Sequence, residues 1–175
     1  MNGLRLFVLV CGACAGHPCH AAQGHLRPQE VEAFLDRQGG KATLEKYFPC
    51  DKVKGTAYAE IADGSRRWAA LAVKMLNHSD ACYTESILSA LGTAMGRSPR
   101  NILPYVGTSP TLDTSICLPF ISDELPLPEQ LRPIRTAKNA ISRVHDAKLS
   151  EQRKACLEYI GFAEQGVIAK QQQPK

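Results

Sequence analysis

The chain reads as all-α, a compact α–α superhelix or irregular helical bundle of about seven to eight helices held by disulfides. Three observations carry that reading. Apolar residues recur at helical spacing through most of the chain, with Ser, Asp and Pro where helices begin and Gly or Pro where they end. No segment sustains the two-residue alternation of a half-buried strand, and no β-branched run is flanked by hairpin turns. Four cysteines, Cys50, Cys82, Cys117 and Cys156, form an even, widely spread set.

The first element is not part of the fold. Met1 to Ala22 has the pattern of a secretory signal: Arg5 as the positive start, an apolar run from Leu6 to Val10, then Gly12, Ala13 and Ala15. Cleavage after Ala15, with Ala13 at the −3 place, after Ala21 or after Ala22 fits that pattern. Gly12-Ala13-Cys14 also resembles the end of a lipobox, but Cys11 stands where Leu or Val is usual, so a lipoprotein is the minority reading and the membrane enters only through it. Cys11 and Cys14 are spaced as C-x-x-C with His17, Cys19 and His20 nearby; a metal site is the weaker reading, because no second C-x-x-C or paired His completes four ligands. A periplasmic or secreted location follows. There the four later cysteines are expected as two disulfides. Three connectivities are open; Cys50 with Cys82 and Cys117 with Cys156 is favoured, since pairing sequential neighbours needs the least rearrangement.

Residues 23–170 are expected as one helical domain and 171–175 as a disordered tail. Leu26 to Gln38 is a helix with Pro28 near its start, Glu30 and Glu32 in its first turns and Gly39-Gly40 as its stop. Lys41 to Phe48 adds a turn or two before Pro49. Thr56 to Ala62 is a short helix with Tyr58 and Ile61 inward. Ser65 caps the central helix, whose stripe is Trp68, Leu71, Ala72, Met75 and Leu76; it ends at Asn77-His78. Ser79 and Asp80 cap the next, which presents Ile87, Leu88, Leu91 and Met95 and closes at Gly96 as the C′ residue. Ser98-Pro99 starts a helix that Pro104 keeps short. Thr108 to Leu118 gives one more short helical face through Leu112 and Ile116. The proline-rich stretch Ser122 to Arg132 is expected as an exposed connection. A helix from Ile134 to about Ala147 and a last one from Ser150 through Ala163 complete the chain.

The pattern Trp68-x2-Leu71-Ala72-x2-Met75-Leu76, Ser79-Asp80-Ala81, Leu88-x2-Leu91-Gly92-x-Ala94 and Pro99-x2-Ile102-Leu103 resembles HEAT-type helical hairpins. It is similar also to small uncharacterised exported proteins of Gram-negative bacteria with Ser-Asp-Ala elements and late cysteines. The resemblance covers residues 60 to 160. It implies stacked helices and export, and it brings no activity with it.

Composition excludes some roles. A formal charge of +4 and 6% aromatic residues lack the dense basic stripe of a nucleic-acid binder. No G-x-S-x-G, H-E-x-x-H, P-loop or G-x-G-x-x-G occurs, so neither a cofactor nor a metal is expected and the chain reads as a non-enzyme. His145 and His78 suit helix C-termini better than catalysis. Glu60 and Asp63 lie together without a reason for shifted acidity. The basic residues are more suggestive. Arg132, Arg135, Lys138, Arg143, Lys148, Arg153 and Lys154 face only Asp146 and Glu151, and Arg135, Lys138 and Arg143 flank one helical stripe. Arg66 and Arg67 oppose the dipole at the start of the central helix, which pairing with Asp63 or Glu60 would offset. These five are candidate contacts for a protein partner, acidic in the simplest case. The expected function is therefore an exported binding protein, one version being a periplasmic immunity protein that neutralises a bacterial toxin. An envelope enzyme with a site assembled only in three dimensions, or a structural lipid-anchored envelope component, is the alternative.

Overall fold

A computed structural model describes residues 25–50 and 56–171 of the chain. The expected signal segment, its cysteines and the residues after 171 lie outside them. Seven α-helices and four 3₁₀ turns occur among the described residues, without a strand. The helices are α1 (Pro28–Tyr47), α2 (Ala57–Ala62), α3 (Arg66–Leu76), α4 (Ala81–Met95), α5 (Pro99–Ile102), α6 (Leu127–Ser142) and α7 (Ser150–Gln171).

Helix α1 begins with Pro28 in its first turn, where a missing N–H costs nothing, and carries Glu30 beside the positive helix end. Gly39 ends the first arm, as the sequence reading has it, and a second arm to Tyr47 follows across the kink: φ is +79° there, a conformation glycine adopts without a Cβ penalty. Counting the two arms separately gives eight helical rods, and the Thr43 hydroxyl donates to the Gly39 carbonyl at 2.7 Å across the break. Phe34 and Tyr47, one from each arm, meet edge to face at 5.4 Å between centroids, with the Lys46 ammonium 4.2 Å from the Phe34 ring centre.

Helices α3 and α4 occupy the centre. Ser65 Oγ accepts the Trp68 N–H at 3.2 Å, the expected cap, and the stripe buries Trp68, Leu71, Ala72 and Met75. Asp80 holds the N-cap place of α4 without a side-chain cap bond. Instead the Ser79 hydroxyl bonds the Leu76 carbonyl at 3.1 Å and pairs with the Thr84 hydroxyl at 2.7 Å. Ile87, Leu91, Ala94 and Met95 of α4 are fully buried, which makes α4 the axis of the molecule. Gly96 corrects the sequence reading: it is right-handed at φ −69°, not a left-handed C′ residue. Its small size serves packing, since a Cβ there would lie 3.2 Å from Thr136 Cγ2.

Two later segments also differ from expectation. The face from Thr108 to Leu118 is a pair of 3₁₀ turns, Pro110–Leu112 and Thr114–Cys117, each capped by its preceding side chain, Ser109 and Asp113. It buries the expected Leu112, Ile116 and Cys117. The proline-rich stretch is an irregular connection only as far as Pro126; α6 starts at Leu127 and runs through Pro133, with Pro128, Glu129 and Arg132 still exposed on it. Burial of Leu131 and Ile134 outweighs the N–H that Pro133 lacks. The buried Gln130 amide donates to the Asp123 and Leu125 carbonyls at 3.2 and 2.6 Å, tying the preceding loop to the first turn of α6. At the other end α6 stops at Ser142, five residues before Ala147, and Asp146 caps a separate turn there at 2.9 Å through the Lys148 N–H.

Both favoured disulfides form. Cys50 and Cys82 have Cα atoms 6.0 Å apart, and Cys117 and Cys156 5.5 Å apart. The first ties the chain after α1 to the first turn of α4; the second ties the 3₁₀ segment to α7. Such pairs fit an oxidising extracellular or periplasmic environment. No helix among the described residues is long and apolar enough to cross a membrane.

Candidate functional site

A groove of about 910 Å³ lies between α4 and α7. Its origin is local. The Cys117–Cys156 bridge seats the second 3₁₀ turn beside α7, and the chain then crosses toward α4 as Leu118, Pro119, Phe120 and Ile121. Helix α4 receives this segment because residue 92 is glycine: a Cβ there would collide with the Leu118 carbonyl. One turn earlier the Ser89 hydroxyl accepts the Phe120 N–H at 3.2 Å. The buried Leu118 of the crossing segment thus lies at the floor of the groove, and Phe120 leads out of it toward solvent.

The walls follow helical spacing. Helix α4 presents Glu85, Ser86, Leu88, Ser89 and Thr93, and α7 presents Tyr159, Ala163, Gly166, Val167 and Lys170. Tyr58 and Ala62 of α2 close the α4 side. Phe120 stands at the lip with 82% of its surface exposed, while Ile121 is partly covered. Lys170 is paired with Asp123 at 2.9 Å, leaving Glu85 as the one lining charge without an ion partner among the described residues.

Of the ionisable groups lining the groove, Tyr58 is tied into the core. The Tyr58 phenol donates to the Phe48 carbonyl at 2.8 Å and stacks edge to face on Phe48 at 5.4 Å. Burial pushes its pKa up to about 12, against a smaller opposing effect of a hydrogen bond with Ser86, so it stays a neutral donor. Among the described residues no three His, Cys, Asp or Glu side chains converge as metal ligands do. What the groove offers is apolar contact, with serine hydroxyls and the Glu85 carboxylate on its α4 wall and the paired Lys170 on its α7 wall.

The basic residues singled out by sequence are dispersed. Arg135 and Lys138 of α6 converge on Glu164 of α7, at 3.6 and 2.7 Å. The Lys138 hydrogen bond, more than the charge of Arg135, holds the Glu164 carboxyl below its usual value. Arg143, just past the end of α6, is exposed and without an ion pair among the described residues. Arg66 and Arg67 are likewise exposed at the start of α3. Their expected acidic neighbours are engaged elsewhere: Asp63 with Arg97, and Glu60 with His25 at 3.3 Å. Of the five cations two clamp α7 to α6, and three are exposed without an ion pair among the described residues.

The groove residues were missed because their signals are faint in the sequence. Val167 and Ile168 continue the α7 stripe beyond Ala163 but are separated from it by polar residues. Phe120, isolated between Pro119 and a proline-rich acidic stretch, was the one available hint: a bulky aromatic where an exposed connection was expected.

Comparison of the chain with known protein families, with curated proteins and with solved structures finds no match, so the likeness to HEAT-type hairpins rests on the sequence pattern alone.

Proposed function

We propose that this is an exported, non-enzymatic helical protein that binds another protein by taking an apolar helix or loop of it into the groove between α4 and α7. The observation that carries the reading is Phe120, 82% exposed at the lip of an apolar groove of about 910 Å³. An exposed aromatic contiguous with a concave apolar surface is the usual anchor of a protein interface. The groove walls are two helices, the arrangement that accepts an amphipathic helix through residues one turn apart. Arg66, Arg67 and Arg143 add positive charge outside the groove that favours an acidic partner surface. The signal-like start and the two disulfides support a periplasmic setting. In that setting the specific version we favour is an immunity protein that neutralises a toxin.

The test is capture from periplasmic extract with the mature chain and with two groove variants, Phe120→Ala and Val167→Asp. A partner held by the parent chain and lost by both variants is the expected result, and identification of that partner as a toxin supports the immunity version. A partner retained by both variants places binding elsewhere and overturns the groove reading. Mass analysis of the mature N-terminus checks export, with cleavage after Ala15, Ala21 or Ala22 expected.

A further inference from the structure

We propose that Cys50–Cys82 is a thiol-exchange site, opened by a dithiol while Cys117–Cys156 stays closed, and that opening it loosens the first turns of α4, one wall of the groove. The second part rests on reading the groove as the binding surface; the exchange itself does not.

The two disulfides differ in access. Cys117 and Cys156 are each 0% exposed, enclosed between the 3₁₀ segment and α7, whereas Cys50 and Cys82 are both exposed. Exchange requires an incoming thiolate to approach one sulfur opposite the other, so access decides which bond is attacked. Around the exposed bond the first turn of α4 is held by the Ser79–Thr84 hydroxyl pair and by the Tyr83 and Thr84 N–H groups on the Asp80 carbonyl, but not by an N-cap side chain. Cys82 is the second residue of α4, and the N-cap Asp80 makes no side-chain bond to the helix. Ala81, between them, has φ +34°, the one positive value at a non-glycine residue among the described residues. A Cβ-bearing residue is disfavoured there, and the crosslink at the next residue helps to keep it in place. Cys82 lies in the first turn of α4, at the positive helix end, which favours rather than opposes departure of its sulfur as a thiolate.

The step balances with a dithiol as the reductant. One of its thiolates forms a bond to the sulfur of Cys50 or Cys82, the S–S bond breaks, and the electron pair leaves on the other sulfur. The second thiol of the reagent then displaces the attached cysteine. The reagent ends as a cyclic disulfide, oxidised by two electrons, and Cys50 and Cys82 end as thiols that have taken its two protons. The later turns of α4 keep Ile87, Leu91 and Met95 in the core. Loosening is thereby confined to the turns that contain Glu85 and Ser86, the first groove residues of that wall.

The test uses the oxidised mature chain, a limited exposure to dithiothreitol, alkylation with iodoacetamide and peptide mapping. Cys50 and Cys82 are expected to alkylate at least about ten-fold faster than Cys117 and Cys156, as access-controlled exchange requires. Hydrogen exchange on the partly reduced protein should then accelerate over residues 81–88 and stay unchanged over residues 150–160. Equal alkylation rates, or earlier opening of Cys117–Cys156, overturn the exchange site. Unchanged exchange over residues 81–88 after Cys50–Cys82 has opened overturns its link to the α4 wall. No partner enters the measurement, so its failure and the failure of the groove reading are seen separately.

Discussion

The α3–α4 pair and the α6–α7 pair are both formed by helices joined through a short connection, yet different forces hold them. Helix α3 buries Trp68, Ala69, Leu71, Ala72 and Met75, and α4 buries Ile87, Ala90, Leu91, Ala94 and Met95. Helix α7, longer than any of these at 22 residues, buries only Cys156 and Ile160 fully. Its attachment comes instead from the Cys117–Cys156 bridge, the Lys138–Glu164–Arg135 clamp and partly buried side chains such as Leu157 and Val167. Helix α4 has spent most of its apolar surface on the core and gives the groove only a strip around Leu88, whereas Tyr159, Ala163 and Val167 of α7 are partly uncovered and form the opposite wall.

That contrast is best broken at the covalent tie. Replacing Cys117 and Cys156 together by alanine removes a link across 39 residues, and loop-closure entropy puts the loss at about 4 kcal/mol. Urea unfolding should show that loss, with hydrogen exchange fastest in α7. On the other pair, Leu91→Ala leaves a cavity at a fully buried site and should cost about 3 kcal/mol by the same unfolding measurement, with both disulfides intact. Gly92→Ala tests the contact through which α4 positions the groove floor. The added methyl meets backbone, which cannot swing away as a side chain does, so a loss of about 2 kcal/mol is expected together with weaker partner capture.

The smallest effect sharpens the comparison by its pH dependence. Glu164→Gln removes a clamp whose cations are half exposed, and screening by solvent limits its worth to about 0.5 kcal/mol. The folded-state pKa of Glu164 is lowered from 4.5, so its contribution is fully present above that value and is lost as pH falls through the lower one. Parent and variant should therefore differ in urea midpoint at about pH 7 and converge as the pH is lowered through the depressed folded-state pKa. A difference that persists in acid would assign the effect to packing of the side chain.

How far the sequence could be read follows from how local each feature is. The cap at Ser65, the α3 stripe and the disulfide pairing were legible, because each depends on near neighbours or on the economy of joining adjacent elements. The start of α6 was not, because a rule about prolines is local while the burial of Leu131 and Ile134 that overrides it is not. The Glu164 clamp joins residues 26 apart in the chain, and nothing in either neighbourhood points to the other. The groove is harder still. Tyr58, Leu88, Phe120 and Val167 come from four separate elements, and no spacing rule links them. The candidate contacts read from the sequence are charged residues, since charge is visible in a string of letters, whereas concavity is not.

Gly92 carries a consequence for recognising kin. The residues around it on α4 can change size if their neighbours compensate, but position 92 faces the Leu118 carbonyl and has no room for any side chain. Gly161 and Gly166, which meet nothing within 4 Å, are under no such constraint. A chain that shares this architecture is therefore expected to keep a glycine 25 residues before the first cysteine of the buried bridge, with the second cysteine 39 residues further on, even where every other letter has drifted.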